Sequence, residues 1–200
     1  MWAAAALAFL ASGAAFAAER AQGTGLQRGV FLVASREMPD PRFMESVILL
    51  VEYSRERGAM GLIINRPTDT PLSEVFPDME AFKKTKATVY FGGPVEMAGA
   101  RLLVMSGKPP DAEARMVIEG VYLSDSAETL ERMARGPKKG EAFRVYAGYS
   151  GWTTGQLERE IEFGSWHVMG ADRGRVFAED PSGVWDELII FSSGMRVRAY

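Results

Sequence analysis

Gly148-Tyr149-Ser150-Gly151-Trp152-Thr153-Thr154-Gly155-Gln156-Leu157-Glu158-Arg159-Glu160-Ile161-Glu162-Phe163-Gly164-Ser165-Trp166 is the stretch on which the reading of the fold turns. The apolar run from Phe143 to Tyr149 suits a buried strand, Gly151 supplies a turn, and the residues from Thr153 onward open a helix. Thr153 is placed to cap that helix, Gln156 to reach back as in a capping box, and Glu158 to sit near the positive helix end. Gly164 supplies the stop. Strand, glycine turn and helix start in succession form a common place for backbone N–H groups to meet an anion, although the stretch by itself names no ligand.

Outward from it, the 200 residues with 47% hydrophobic content suffice for one core of ordinary size. The sequence predicts a signal peptide at 1–17, a polar linker at 18–28 and a single domain at 29–200. Trp2 to Phe16 is uncharged and rich in Ala, Leu and Phe, and Ala15-Phe16-Ala17 before Ala18 has the small-x-small form that a signal peptidase reads. The segment is short for a membrane span. The leader therefore predicts a periplasmic or secreted chain, with no membrane span once it is removed.

A net charge of -3 and a pI near 5.4 give no overall attraction to nucleic acid, so none is expected as a partner. Lys83-Lys84-Thr85-Lys86 and Lys138-Lys139 are short and read as solvated turns. The absence of cysteine excludes disulfides, thiol catalysis and thiolate metal ligands. With His167 the sole histidine, a zinc site would need mostly carboxylate ligands, so no cofactor or metal is expected.

In chain order, Gly29–Ala34 and Val47–Val51 read as buried strands, separated by a double-proline turn at Met38–Phe43. Ser54–Gly58 joins the second strand to a third at Gly61–Asn65. Leu72, Val75, Phe76, Met79 and Phe82 have helical spacing, which Pro77 should end or kink. Strands follow at Thr88–Phe91 and Leu102–Met105, and a hairpin at Val117–Leu123. Ser126 caps a helix that Gly136-Pro137 stops. A strand pair at His167–Met169 and Arg175–Phe177 precedes a last helix opened by Asp180-Pro181, with Trp185, Leu188 and Ile189 buried. About eight strands and three or four helices on these pattern rules, with hairpins early, make the fold class α+β: one mixed, mostly antiparallel sheet with flanking helices.

Five segments then coincide in order: Gly29–Ala34, Asp40-Pro41-Arg42-Phe43, Gly58-Ala59-Met60-Gly61-Leu62-Ile63-Ile64-Asn65-Arg66-Pro67, Val89-Tyr90-Phe91-Gly92-Gly93-Pro94-Val95, and Gly148–Trp152 with Gly155–Glu158. Together they resemble the YqgE/AlgH family of bacterial proteins, over about Gly29 to Phe191. The resemblance implies a mixed sheet curled toward a barrel, and it transfers no catalytic residues. Some members carry a transcriptional-regulator label, derived from a link to alginate production. Members are usually cytoplasmic in appearance, which is the alternative to the leader's implication. A histidine usual in the family after the position of Leu103 is replaced here by the Met105-Ser106 region.

The expected function is that of a non-enzymatic binding or regulatory protein with a cleft for a small anion or a partner's peptide. The expected rim is Asn65, Arg66, Gly92, Gly93, Tyr149, Trp152 and Gln156. Asn65 and Arg66 offer an amide and a guanidinium fork suited to carboxylate or phosphate. Gly92-Gly93-Pro94 either presents amides to an anion or is a strand-ending turn. Glu158 and Glu162 share a helix face, read here as solvated, and Trp152, Trp166 and Trp185 read as core. The alternative from another class is a hydrolase with Ser150 as nucleophile and His167 as base, although Gly148-Tyr149-Ser150-Gly151 lacks one residue of the nucleophile-elbow spacing. Direct control of transcription has only the family label behind it.

Overall fold

The computed structural model describes residues 25–194, so the leader, most of the linker and residues 195–200 lie outside the described residues. Ten strands form one curled sheet: β1 (Val30–Ala34), β2 (Val47–Ser54), β3 (Gly58–Ile63), β4 (Pro67–Pro71), β5 (Thr88–Phe91), β6 (Val95–Met105), β7 (Arg115–Ile118), β8 (Val121–Ser124), β9 (Ala142–Trp152) and β10 (Trp166–Gly170). The order is β10-β1-β2-β3-β9-β6-β8-β7, with β4 paired to β5 and β5 paired to β9 off that path. All pairings are antiparallel except β5 on β9, in agreement with the α+β expectation.

β9 is the hub of this sheet. Its last residues pair with β3, its first eight with β6, and Tyr146 and Ala147 also meet β5. Successive side chains on a strand point to opposite faces, and β9 is buried on both. Tyr146 belongs to the main core with Phe31, Leu32, Ile48, Leu49 and Leu62, whereas Val145 joins Leu72, Phe82, Leu102, Val104 and Met133 in a second core. The curl brings β7 back beside β2: Arg115 pairs with Glu52, and a Cβ on Gly29 would stand 2.7 Å from the Val117 carbonyl oxygen.

The helices are short: α1 (Leu72–Val75), α2 (Ala127–Arg135), α3 (Gln156–Glu162), α4 (Arg173–Val176) and α5 (Val184–Gly194). α2 starts as expected, with the Ser126 hydroxyl accepting the Thr129 N–H at 3.2 Å, and α5 buries Trp185, Leu188 and Ile189. Among the described residues no helix is long and apolar enough to cross a membrane.

Four local expectations are corrected. Gly151 does not turn the chain; β9 runs through it to Trp152 because Met60 pairs with Gly151 and Ala59 with Trp152. Helical spacing after Pro71 yields only α1 and a 3-10 turn at Phe82–Lys84, since Pro77 can offer no N–H to continue the helix. Arg175–Phe177 is not a strand: the Asp172 carboxylate accepts the Arg175 N–H at 3.0 Å and caps α4, and β10 pairs with β1 instead. Asp180 binds the Ser182 N–H at 3.1 Å in a turn, so the last helix begins at Val184 rather than at Pro181.

Candidate functional site

Two expected rim residues prove to be internal clamps. Asn65 is buried; its Oδ1 accepts the Val47 N–H at 2.8 Å and its Nδ2 donates to the Glu45 carbonyl at 2.9 Å. Arg66 donates to the carbonyls of Arg42 and Met44, and burial lowers its pKa from the ordinary value while the Glu45 carboxylate opposes that shift. Both side chains fix the turn after Pro41, where Glu45 holds a left-handed φ of 57°. Two of the guanidinium's donors thus go to backbone carbonyls.

Gly92 also turns inward. Its N–H donates to Ala147 O at 2.9 Å, while its own carbonyl accepts the Ile63 N–H at 3.0 Å and the Ser150 hydroxyl at 3.3 Å. The amide that could have met an anion is therefore occupied. At Gly93 a Cβ would lie 2.3 Å from the Tyr149 carbonyl carbon, so this turn is glycine because two backbones touch.

Ser150 is fully buried and shares a face of β9 with Trp152. Trp152 meets Trp166 edge-on at 6.0 Å, and His167, next to Trp166 in β10, points to the other side of the sheet. The two residues of the hydrolase alternative do not share a face.

Around α3 the chemistry differs from a solvated acidic face. Gly155, with φ 71°, occupies the N-cap position in place of Thr153. Gln156 does reach back, accepting the Thr153 N–H at 3.1 Å, and it donates to Glu160 at 3.0 Å, which keeps it out of the groove described below. One carboxylate oxygen of Glu160 accepts both the Trp152 indole N–H at 2.9 Å and that of Trp166 at 2.8 Å. Phe43 stacks on Trp152 at 6.5 Å and meets Trp166 edge-on at 5.7 Å. Glu158 accepts the Tyr53 hydroxyl at 2.7 Å, and burial first, then this carboxylate, raise the Tyr53 pKa above its ordinary value. No group of three acidic or histidine side chains that could hold a metal occurs among the described residues.

Glu160→Ala is accordingly expected to lose about 3 kcal/mol of stability, because two indole donors are left unpartnered, whereas Glu160→Gln keeps an acceptor and loses about 1 kcal/mol. Urea denaturation followed by tryptophan emission measures both. Equal losses in the two variants would mean that the indole bonds contribute little.

What the curl does create is a groove of about 900 Å³ at one mouth of the half-barrel. Its lining includes Met60, Val95 and Tyr149, and it carries Arg28, Arg57 and Arg115 against a single acid, Glu52. Arg115 already pairs with Glu52 across the β7–β2 seam. The Arg101 guanidinium lies over the Tyr149 ring at 4.5 Å and fixes that wall. Of the expected site residues only Tyr149 and Trp152 line this groove. The three arginines stand in separate segments, so no local pattern pointed to them.

A family model described as AlgH-like matches residues 31–195. A UPF0301 protein of Methylococcus capsulatus is 37% identical over 164 residues, covering 80% of this chain and 88% of the relative. A UPF0301 protein of Streptomyces coelicolor is 32% identical over 166 residues, covering 80% and 84%. The solution structure of the AlgH protein from Pseudomonas aeruginosa superposes with a TM-score of 0.66 at 29% identity, over 86% of this chain and 89% of that one. A crystal structure of a Corynebacterium diphtheriae protein gives a TM-score of 0.69 at 24% identity over 84% and 89%, a likeness of fold.

Proposed function

The chain belongs to the AlgH-like family, and from that premise we propose that it is a non-enzymatic binding protein whose mouth groove receives an acidic peptide segment of a partner. The observation that carries this reading is the charge and shape of the groove: three arginines against one glutamate, with aromatic and thioether side chains in the lining, in an open volume of about 900 Å³. Clefts at the mouths of barrels with apolar walls and a few convergent polar groups are the usual form of binding sites. Guanidinium groups suit carboxylates because the planar fork matches them in pairs. Arg28 and Arg57 have no acidic partner in the groove, since Glu52 is taken by Arg115. A regulatory role through a protein partner fits this reading better than direct contact with DNA, because the net charge of -3 gives no overall attraction to a polyanion.

The test is titration of the whole protein with a fluorescein-labelled hexaglutamate peptide at low salt. Saturable binding is expected, weakened at least about tenfold by Arg28→Glu with Arg57→Glu, and weakened by added salt as solvent-exposed ion pairs are. Lys138→Glu with Lys139→Glu, remote in sequence and exposed, should leave it unchanged. Binding that is indifferent to the arginine reversals, or lost equally in the lysine reversals, overturns the groove as the site.

A further inference from the structure

A second concavity, about 310 Å³, opens where β5 and β9 begin, and it shares no lining residue with the mouth groove. Lys86 and Arg144 are its charged residues, with no acid in the lining, while Leu72 and Phe143 form an apolar wall and Thr88 and Tyr90 add hydroxyls. Arg144 is held rigidly. Its Nη1 donates to the Val176 carbonyl at 2.7 Å and to Ile64 O at 3.4 Å, its Nη2 donates to Ala178 O, and its guanidinium lies 4.6 Å from the Tyr90 ring centroid.

Those bonds use three of the five guanidinium N–H donors. Two N–H donors of the group remain for a further acceptor, and a fixed guanidinium suits carboxylate and phosphate oxygens. The partners of Arg144 are carbonyls and ring faces, so its charge is met by dipoles and not by a carboxylate. Beside it lies the fully buried Tyr146 hydroxyl, whose pKa burial raises while the Arg144 guanidinium opposes that shift, and its ring stands 5.4 Å from Tyr90.

We propose that this pocket binds a phosphate-type oxyanion between the Arg144 guanidinium and the Lys86 ammonium, with the Leu72–Phe143 wall taking any organic group attached to it. Free phosphate and a phosphomonoester share this chemistry. The pre-fixed guanidinium lowers the cost of ordering a long side chain on binding. The exposed Lys86 supplies the second charge from the pocket rim.

The experiment is an amide-resonance NMR titration of the full chain with inorganic phosphate and, separately, with phenyl phosphate. Because Arg144 also anchors the fold, the variant is the exposed Lys86→Glu. Saturable shifts confined to Lys86–Tyr90 and Phe143–Tyr146 are expected, with affinity about tenfold lower in Lys86→Glu. Tighter binding of phenyl phosphate assigns the site to a phosphomonoester, and equal binding assigns it to the bare oxyanion. No saturable shift at tens of millimolar phosphate, or an affinity unchanged by Lys86→Glu, overturns the proposal. Shifts confined to Glu52–Met60 and Tyr149–Thr153 would likewise overturn it while leaving the mouth groove standing.

Discussion

Replacing Gly148 with alanine is expected to destabilise the protein by about 4 kcal/mol, whereas Gly107→Ala leaves stability unchanged within about 0.5 kcal/mol. Gly148 has φ 68°, and a Cβ there would lie 2.3 Å from the Gly93 carbonyl oxygen and 2.9 Å from that of Val95. Neither neighbour is a flexible side chain. The Gly92-Gly93 backbone must approach β9 this closely because Gly92 is hydrogen-bonded to both Ala147 and Ile63. Alanine therefore adds a left-handed backbone penalty of about 1 kcal/mol to overpacking of about 3 kcal/mol. At Gly107 an added Cβ meets nothing within 4 Å, so the same chemical change is harmless there. Guanidinium denaturation midpoints measure the contrast, and similar midpoints for the two variants would show that the β9 contact relaxes easily.

Arg144→Met is expected to lower stability by about 3 kcal/mol and the melting temperature by about 10 °C. The guanidinium gathers the carbonyls of Ile64, Val176 and Ala178, which belong to the residue just after β3, to α4 and to the chain just after α4. Methionine matches the stem and supplies no donor. Three carbonyls then lose a charged partner in a region where Tyr90 and Phe177 restrict water. Arg144→Lys restores the charge but not the planar fork, so an intermediate loss is expected. A thermal melt of Arg144→Met that matches the parent would mean that water replaces the guanidinium without cost.

Much of the candidate site was invisible to local pattern for an identifiable reason. Asn65 and Arg66 carry side chains suited to anions, and the same properties suit backbone carbonyls and amides. Only the return of the Arg42–Val47 segment beside them decides which partner they meet. Glu158 and Glu162 have the spacing of a shared solvated helix face, yet Glu158 accepts the Tyr53 hydroxyl, and the edge-on meeting of Trp152 and Trp166 brings two indole donors to the intervening Glu160. Arg28, Arg57 and Arg115 are unremarkable in their own segments and line one groove when the sheet curls.

The amino-acid sequence alone determined the strands with continuous apolar runs, the Ser126-capped helix, the α+β class and the family. Each of these follows from short-range periodicity, capping chemistry or ordered motifs, which act within a few residues. Tertiary structure alone decided that β9 passes through Gly151 to meet β3, that Gly92 and Gly148 are forced together, and that the groove lies at the mouth and not at Asn65 and Arg66. Those outcomes depend on pairing between strands far apart in the chain, where a ladder of backbone hydrogen bonds overrides what a single glycine or arginine favours locally.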